Sequence, residues 1–469
     1  MTTRDKRQEM LANKSIGKLL FELSLPAGVG AAVMASYNVI NAIFIGQVIG
    51  PLGIAGLTIV FPLQILTMGV GMMIGIGGAS LISRNLGAGD IEKSERTLGN
   101  AVFYTLILGV IFSVIALSNS SFWLRLVGAS ETILPYAKDY FDIIFLGVVF
   151  RIGAMGISQL IRAEGNARVA MMSHVLAFAV NIVLDVVFIL ALGMGIKGAA
   201  IATVLAEAFS FLYTFHYYLF RNSTLKIRLK NLAPDGAVTR EMAAIGFGSF
   251  IMTVGGSLVF TVVLKTIVAY GGDMSIAAVG LLQRMMTFVN IPLMSIGAGL
   301  QPILGFSYGA GRTDRALAAI KLAVIAATVF AAISFLIIFF LPVPLMRIFT
   351  QDRALLAMGS YAARRVVLAI YLMGFQMVAQ TVFQALGKVV PTFLVSISRQ
   401  VLFFLPAVLI LPRFWQLDGV WFSFPVADAL AFIMTLVLFL VVLRELKSTG
   451  GPAKMEQPAV RPAQTGTGN

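Results

Sequence analysis

Cysteine is absent from this chain of 469 residues, and histidine occurs only twice, at His174 and His216. The first absence excludes disulfides, thiolate nucleophiles and Cys-ligated metal sites. The second leaves no material for a His-based metal centre or a Ser-His-Asp triad, and each lone histidine reads as a local structural residue. No Walker-type phosphate loop occurs either, so an enzyme embedded in a membrane has no catalytic cluster to draw on. Charge is scarce as well: 12% of residues are charged and 58% are hydrophobic, with a mean hydropathy of +0.91. A soluble domain carries about a quarter charged residues. This apolar excess needs lipid as its solvent.

Apolar runs of membrane-crossing length, about 20 residues each, recur along the chain. Twelve spans are expected, near 16–46, 53–83, 97–118, 134–160, 168–191, 196–220, 241–270, 275–306, 315–341, 356–384, 390–412 and 418–444. The first begins near Ile16, is too long for a signal peptide and is followed by no small-residue cleavage site, so it is expected to be retained. The net charge of +14 does not imply nucleic acid, because the basic residues fall in alternate loops. Arg4, Lys6, Arg7, Lys14 and Lys18 precede or open span 1, and Arg84, Lys93, Arg96, Arg162, Arg168 and the run Arg221 to Lys230 follow in every second loop. The positive-inside rule then places both termini in the cytoplasm.

The organisation expected is an N-terminal tail (1–15), a first lobe of six spans (16–221), a solvated cytoplasmic linker (222–240), a second lobe of six spans (241–445) and a disordered tail (446–469). The two lobes carry a repeat. IGIGGASLISRNLGAGD from Ile74 and IGAGLQPILGFSYGAGR from Ile296 align with Gly87 on Gly309, a spacing of 222 residues. Six spans per lobe start both repeats on the same side. The lobes are therefore parallel repeats about an axis along the membrane normal, with a cavity between them.

An ionisable side chain in a span costs about 2.5–3.5 kcal/mol on insertion scales, so each one is a candidate for function. Asp185 is the foremost. Asn181 lies one turn earlier on the same face, and Thr203 and Glu207 share a face of the next span. These are hard oxygen donors, suited to sodium or to a carboxylate that takes and gives a proton. Span 1 adds Tyr37, Asn38, Asn41 and Pro26, a proline that deletes a backbone hydrogen bond and is expected to kink the helix. At the repeat spacing Val263 answers Asn41, and no acid answers Asn181 or Asp185. The second half offers Lys265, Arg284, Arg399 and Asp428 instead, with Gln283 and Gln301. Lys265 reads as a mid-span base that must pair or deprotonate, and Asp428 as an acid for one of these bases. The acids do not repeat, so the lobes are expected to match in shape but not in chemistry.

SLPAGVGAAVMASYNVINAIFIGQVIGPLGIAGLTIVFP from Ser24, LIRAEGNAR from Leu160, NIVLD from Asn181 and IPLMSIGAGLQPILGFSYGAG from Ile291 resemble the multidrug and toxic compound extrusion family, in its MepA/DinF-like bacterial branch. The resemblance covers nearly all of 15–445. It implies an all-α, twelve-helix, two-lobe monomer in the bacterial inner membrane. It further implies an antiporter that exports cationic or amphipathic small molecules against inward sodium or protons, with no other cofactor and no nucleic-acid partner. It assigns the coupling site to Asn181, Asp185 and Thr203, which would also be the sodium ligands, with Pro26 as the kink. Asn41 stands where the family has Asp. An amide offers a carbonyl oxygen but does not titrate, and Glu207 is the carboxylate expected to replace it. Tyr37, Asn38, Lys265, Gln283, Arg284, Gln301 and Asp428 are expected at the substrate cavity. A basic cavity would favour a lipid-linked oligosaccharide flippase of the same superfamily instead. The buried acids beside a kinked helix argue against a channel.

Overall fold

A computed structural model describes residues 3–48, 50–220 and 223–449, and among these every regular element is helical. Among the described residues ten helices are long and apolar enough to cross a membrane, and a bent pair, Leu134–Leu146 with Val148–Ala163, adds a crossing broken by 54°. One of the ten, Val389–Ser448, is 60 residues long and breaks at Trp415 and Gln416, the latter at φ 48°. It therefore supplies two crossings, and the total is twelve. In chain order the spans are Ile16–Val48, Pro51–Gly87, Ile91–Ser118, the bent pair, Ala167–Asp185 with its continuation Val186–Ala191, and Gly195–Phe220 in the first lobe. The second lobe holds Gly236–Gly272, Met274–Gly309, Thr313–Phe340, Arg353–Ala385, 389–414 and 417–449. They are spans 1 to 12 below.

Several helices outrun their apolar stretch. Span 3 starts at Ile91, where the Asp90 carboxylate accepts from the Lys93 amide at 2.9 Å. Span 7 starts at Gly236, where Asp235 accepts from the amides of Ala237 and Val238. Hydropathy reads only the lipid-matched middle of a helix, whereas capping carboxylates carry it a turn or more further into polar surroundings. Gly272, at φ 65°, separates spans 7 and 8, in the gap expected between 270 and 275. Span 1 runs as one helix through a buried Pro26.

The lobes meet where glycines let backbones touch. A Cβ built on Gly87 would lie 2.0 Å from the Phe306 carbonyl oxygen, and one on Gly309 would lie 1.9 Å from that of Arg84. Each contact is the other displaced by 222 residues, so the pseudo-two-fold axis runs between spans 2 and 8. Gly77 against Met242, and Gly246 against Met73, extend the seam to span 7 with clearances of 2.0 and 1.9 Å. These contacts occupy the end of the bundle that carries the N-terminus. Towards the other end lie two cavities, one within each lobe.

The N-terminal tail and the linker are both fastened at that closed end. The N-terminal tail forms a helix, Thr3–Asn13, that bridges the lobes. Arg7 donates to the Tyr217 hydroxyl and lies 3.8 Å from Glu164 in the first lobe. Arg315 of the second lobe donates to the carbonyls of Leu11 at 3.1 Å and Lys14 at 2.6 Å, and Arg312 donates to that of Ala12. Arg84 and Glu241 add a direct ion pair between lobes at 2.7 Å. The linker is not the solvated tether read from its charge. Glu164 accepts from Ser223 at 3.0 Å and from the Thr224 amide at 3.1 Å, Asn100 accepts from the Asp235 amide at 2.8 Å, and Arg228 pairs with Glu95 at 2.9 Å. Polar ends of neighbouring spans, with Glu95 and Asn100 in the early turns of span 3 and Glu164 at the end of span 4, supply these partners, which hydropathy does not register. Span 12 continues to Thr449, so the tail assigned from residue 446 begins as helix, and its residues from 450 onward lie outside those described.

Candidate functional site

Span 5 carries Asn181 and Asp185 one helical turn apart, and both are buried, as are Asn41 of span 1 and Thr203 of span 6. The three helices pack against one another. Both Asp185 oxygens, the Asn181 amide, Asn41 Oδ1 and Thr203 Oγ1 are shut from solvent without a hydrogen-bond partner among the described residues. Buried polar atoms are almost always bonded, and an unpaired buried carboxylate is costly by several kcal/mol. A bound cation or a proton cancels that cost. Oxygens of a carboxylate, amides and a hydroxyl are the donor types that a hard cation takes. Directly after Asp185 the helix widens into a π turn, Val186–Ala191, a local defect that recurs at functional positions in helices.

Beside this cluster a cavity of about 180 Å³ opens within the first lobe, lined by spans 1, 2, 4, 5 and 6. Tyr37, Gln64, Arg151, His174 and Glu207 give it polar walls; Val33, Phe61, Met68 and Phe178 give it apolar ones. Arg151 of span 4 donates through Nε to Glu207 Oε1 at 2.7 Å, with side chains 9% and 18% exposed. Tyr37 lies within interaction range of Thr203, Glu207, Arg151 and Tyr140. Thr203 thus joins the oxygen cluster to the cavity wall, and Glu207 stands one turn further on, held by Arg151.

The second lobe has the matching cavity, about 240 Å³. Met34, Tyr37, Phe61, Gln64, Met68, Arg151, Ala177 and Phe178 of the first are answered, 222 residues on, by Gly256, Val259, Gln283, Met286, Asn290, Met373, Arg399 and Gln400 of the second. Arg399 of span 11 donates through Nε to Asp428 Oδ1 of span 12 at 2.6 Å and through Nη2 to the Met373 sulfur at 3.4 Å. Met373 is the position that answers Arg151, and Asp428 neighbours Ala429, which answers Glu207. Each cavity therefore holds one guanidinium–carboxylate pair, built from different residues. The expectation that the lobes differ in chemistry is corrected on this point: the pair recurs while its positions shift, and a register alignment cannot show that.

Of the other residues expected at the substrate site, Tyr37, Gln283 and Asp428 line these cavities. Lys265 does not: it is exposed, seven residues from the Gly272 break. Arg284 is exposed too and lies 5.7 Å over the Phe349 ring. Gln301 is buried in span 8 with Nε2 unpartnered among the described residues, apart from both cavity linings. The Asn38 side chain lies outside those described. Arg151, Gln64 and Tyr140 escaped the sequence reading, although Arg151 meets the same criterion as Asp185, an ionisable group within a span.

The MatE family pattern matches residues 26–187 and 245–409, one stretch in each lobe. The Multidrug export protein MepA of Staphylococcus haemolyticus is 26% identical over 437 residues, spanning 93% of this chain and 96% of that protein. The solved structure of the MATE multidrug transporter DinF-BH is 39% identical with a TM-score of 0.85, over 92% of this chain and 96% of that one. A MATE crystal structure in the bent conformation gives a TM-score of 0.90 at 23% identity, over 96% and 100% of the two chains, a likeness of fold alone. With both repeats matched and nearly the whole chain covered, this protein belongs to the MatE family of multi-pass membrane transporters.

Proposed function

We propose that the protein exports amphipathic and cationic small molecules across the bacterial inner membrane, exchanging them for inward sodium or protons by alternating access. The observation that carries this reading is the unpartnered oxygen cluster around Asp185, next to a ligand-sized cavity and linked to it through Thr203. Loading Asp185, with Asn181, Asn41 and Thr203 as further donors, removes the cost of the buried charge. A ligand shifts two facing states only by its difference in affinity between them, and this cluster is where such a difference arises. Pro26, lacking an amide proton, offers a bending point in span 1 through which loading changes the cavity wall. The basic loops put both termini in the cytoplasm, so the glycine seam closes the cytoplasmic end and the cavities face outward.

The names of similar proteins, MepA and DinF-BH, are consistent with multidrug export. Flippase chemistry is disfavoured by charge: Lys265 and Arg284 lie outside the cavities and Arg399 is neutralised by Asp428, so neither cavity is basic. Dye efflux from proteoliposomes under imposed sodium or pH jumps tests the reading. Gradient-driven efflux is expected with one ion, and ion-independent lipid scrambling without efflux would overturn it. In the same assay Glu207→Gln is expected to slow export by about tenfold, the effect of one lost charge-assisted bond, while keeping its dependence on the gradient. Loss of that dependence would place Glu207 in the coupling step itself.

A further inference from the structure

Arg162 is a charge without a counter-charge. It stands in the last turn of span 4, only partly exposed, with its Nε shut from solvent. Among the described residues its guanidinium makes no hydrogen bond or ion pair, and no acid offsets it. Glu164, two residues on, is taken up by Arg7 and the linker. A cation withdrawn from water in this way is costly unless it is paired. Orienting the chain does not require it, since Arg168 is exposed at the same end and serves the positive-inside rule as well.

Helix geometry fixes where this charge lies. Arg162 follows Arg151 by eleven residues, which is about three turns and about 16 Å along the axis, on nearly the same face. That face lines the first-lobe cavity through Arg151 and Met155. On span 5, His174 stands about two turns below Asn181 and about three below Asp185, again on one face, and is buried in the cavity wall. Arg162 lies within interaction range of His174. A cation that left the oxygen cluster for the cytoplasm through the closed lobe would therefore pass His174 and then Arg162. The second lobe is an internal control. Gln384 answers Arg162 at the repeat spacing, and it is a buried, neutral side chain whose Nε2 donates to Ser249 Oγ at 3.2 Å. In that lobe Phe403 and Ala407 answer Asn181 and Asp185, so no cation cluster lies above it. The charge belongs to the lobe that has a cation to hold back.

We infer that Arg162 is the electrostatic barrier of the first lobe, which stops the coupling sodium or proton from running on into the cytoplasm while the lobes are closed. Ion entry then stays tied to the change of facing state, a role that rests on the exporter reading. A fixed positive charge excludes cations and protons from a polar path in the same way in membrane pores. One unit charge at about 6 Å, at an effective dielectric constant of about 20, changes the passage of a monovalent cation about a hundredfold. The test uses the full-length protein in vesicles without substrate, under an imposed sodium or pH gradient, with ion entry followed by an entrapped fluorescent indicator. R162Q is expected to admit one of the two ions about a hundredfold faster than the parent. R162K, which keeps the charge and loses the fork, is expected to stay within about threefold of the parent. R162Q/D185N is expected to return to the parental rate, because the ion no longer loads the cluster. The chain has no cysteine, so R162C can be modified alone: a cationic thiol reagent is expected to reseal it and a neutral one of similar size is not. Parental entry in R162Q, an undiminished leak in R162Q/D185N, or equal sealing by both reagents overturns the proposal. A leaking R162K overturns it even where R162Q does not fold. Absence of gradient-driven dye efflux from the parent would instead overturn the exporter reading, a result read separately from the substrate-free leak.

Discussion

Asp185→Asn is expected to abolish gradient-driven export, lowering the initial rate about a hundredfold or more, while leaving the fold at least as stable. Both effects come from one observation: the carboxylate is fully buried and neither oxygen has a partner among the described residues. The amide is nearly isosteric and uncharged, so it removes the cost of an unpaired buried charge. Thermal melting should show no loss, and a gain is consistent. The same change deletes the only group in the cluster that exchanges charge, since Asn41, Asn181 and Thr203 do not titrate usefully. An equilibrium that depended on ion loading then loses its lever, and a hundredfold in rate corresponds to about 2.7 kcal/mol. Asp185→Glu, which keeps the charge but moves it by one methylene, should restore part of the rate. Export at parental rates by Asp185→Asn would remove the coupling site from span 5.

The second large effect is expected at the seam. Replacing Gly87 and Gly309 together by alanine places two methyl groups 2.0 and 1.9 Å from backbone carbonyl oxygens. Real contacts do not tolerate this, and the backbones cannot give way as a flexible side chain would. Overpacking of this kind costs about 1–3 kcal/mol per site. Two sites on one interface should therefore favour the state in which this end is open by about one to four orders of magnitude. Spin labels at Glu92 and Asp314, exposed positions related by the repeat, would report longer distances, and export should fall with them. The chain has no cysteine, so labelling cysteines can be added without removing native ones. An unchanged distance distribution would mean that the seam is not a moving contact.

Much of the architecture was legible because two codes are strong: hydropathy at the scale of a bilayer, and a repeat anchored on glycines whose spacing survives in Gly87 and Gly309. Asn181 and Asp185 were legible from helical periodicity alone. What could not be read depends on how helices are turned and how far apart they stand. Arg151 and Glu207 are 56 residues apart on non-adjacent spans, and nothing in their local sequence says that they face one cavity. Arg399 and Asp428 were read as possible partners, yet their equivalence to the first pair stays hidden because neither occupies the repeat position of its counterpart. Lys265 misled for a related reason. Sequence gives its place along a span but not which way the helix turns it, and the structure leaves it exposed. The basic linker looked solvated because its partners, Glu95, Asn100 and Glu164, belong to other helices.

The seam between the lobes has a mechanical consequence. Most of its tightest points set glycine against main-chain oxygen, and the side chains that meet glycines there, Ser83 at Gly305 and Ser24 at Gly299, are small and need little withdrawal before the surfaces separate. Contacts of this kind, including weak Cα–H···O interactions, let one surface roll on the other much as a bearing does. Resistance to opening then comes from the rim, where Arg84 meets Glu241 and where Arg312 and Arg315 hold the N-terminal helix. Ionic fastenings at a wet rim weaken with salt, whereas a dry seam does not. The speed of the conformational cycle would thus be set by the solution bathing one face of the membrane, and its direction by the ion gradient across it.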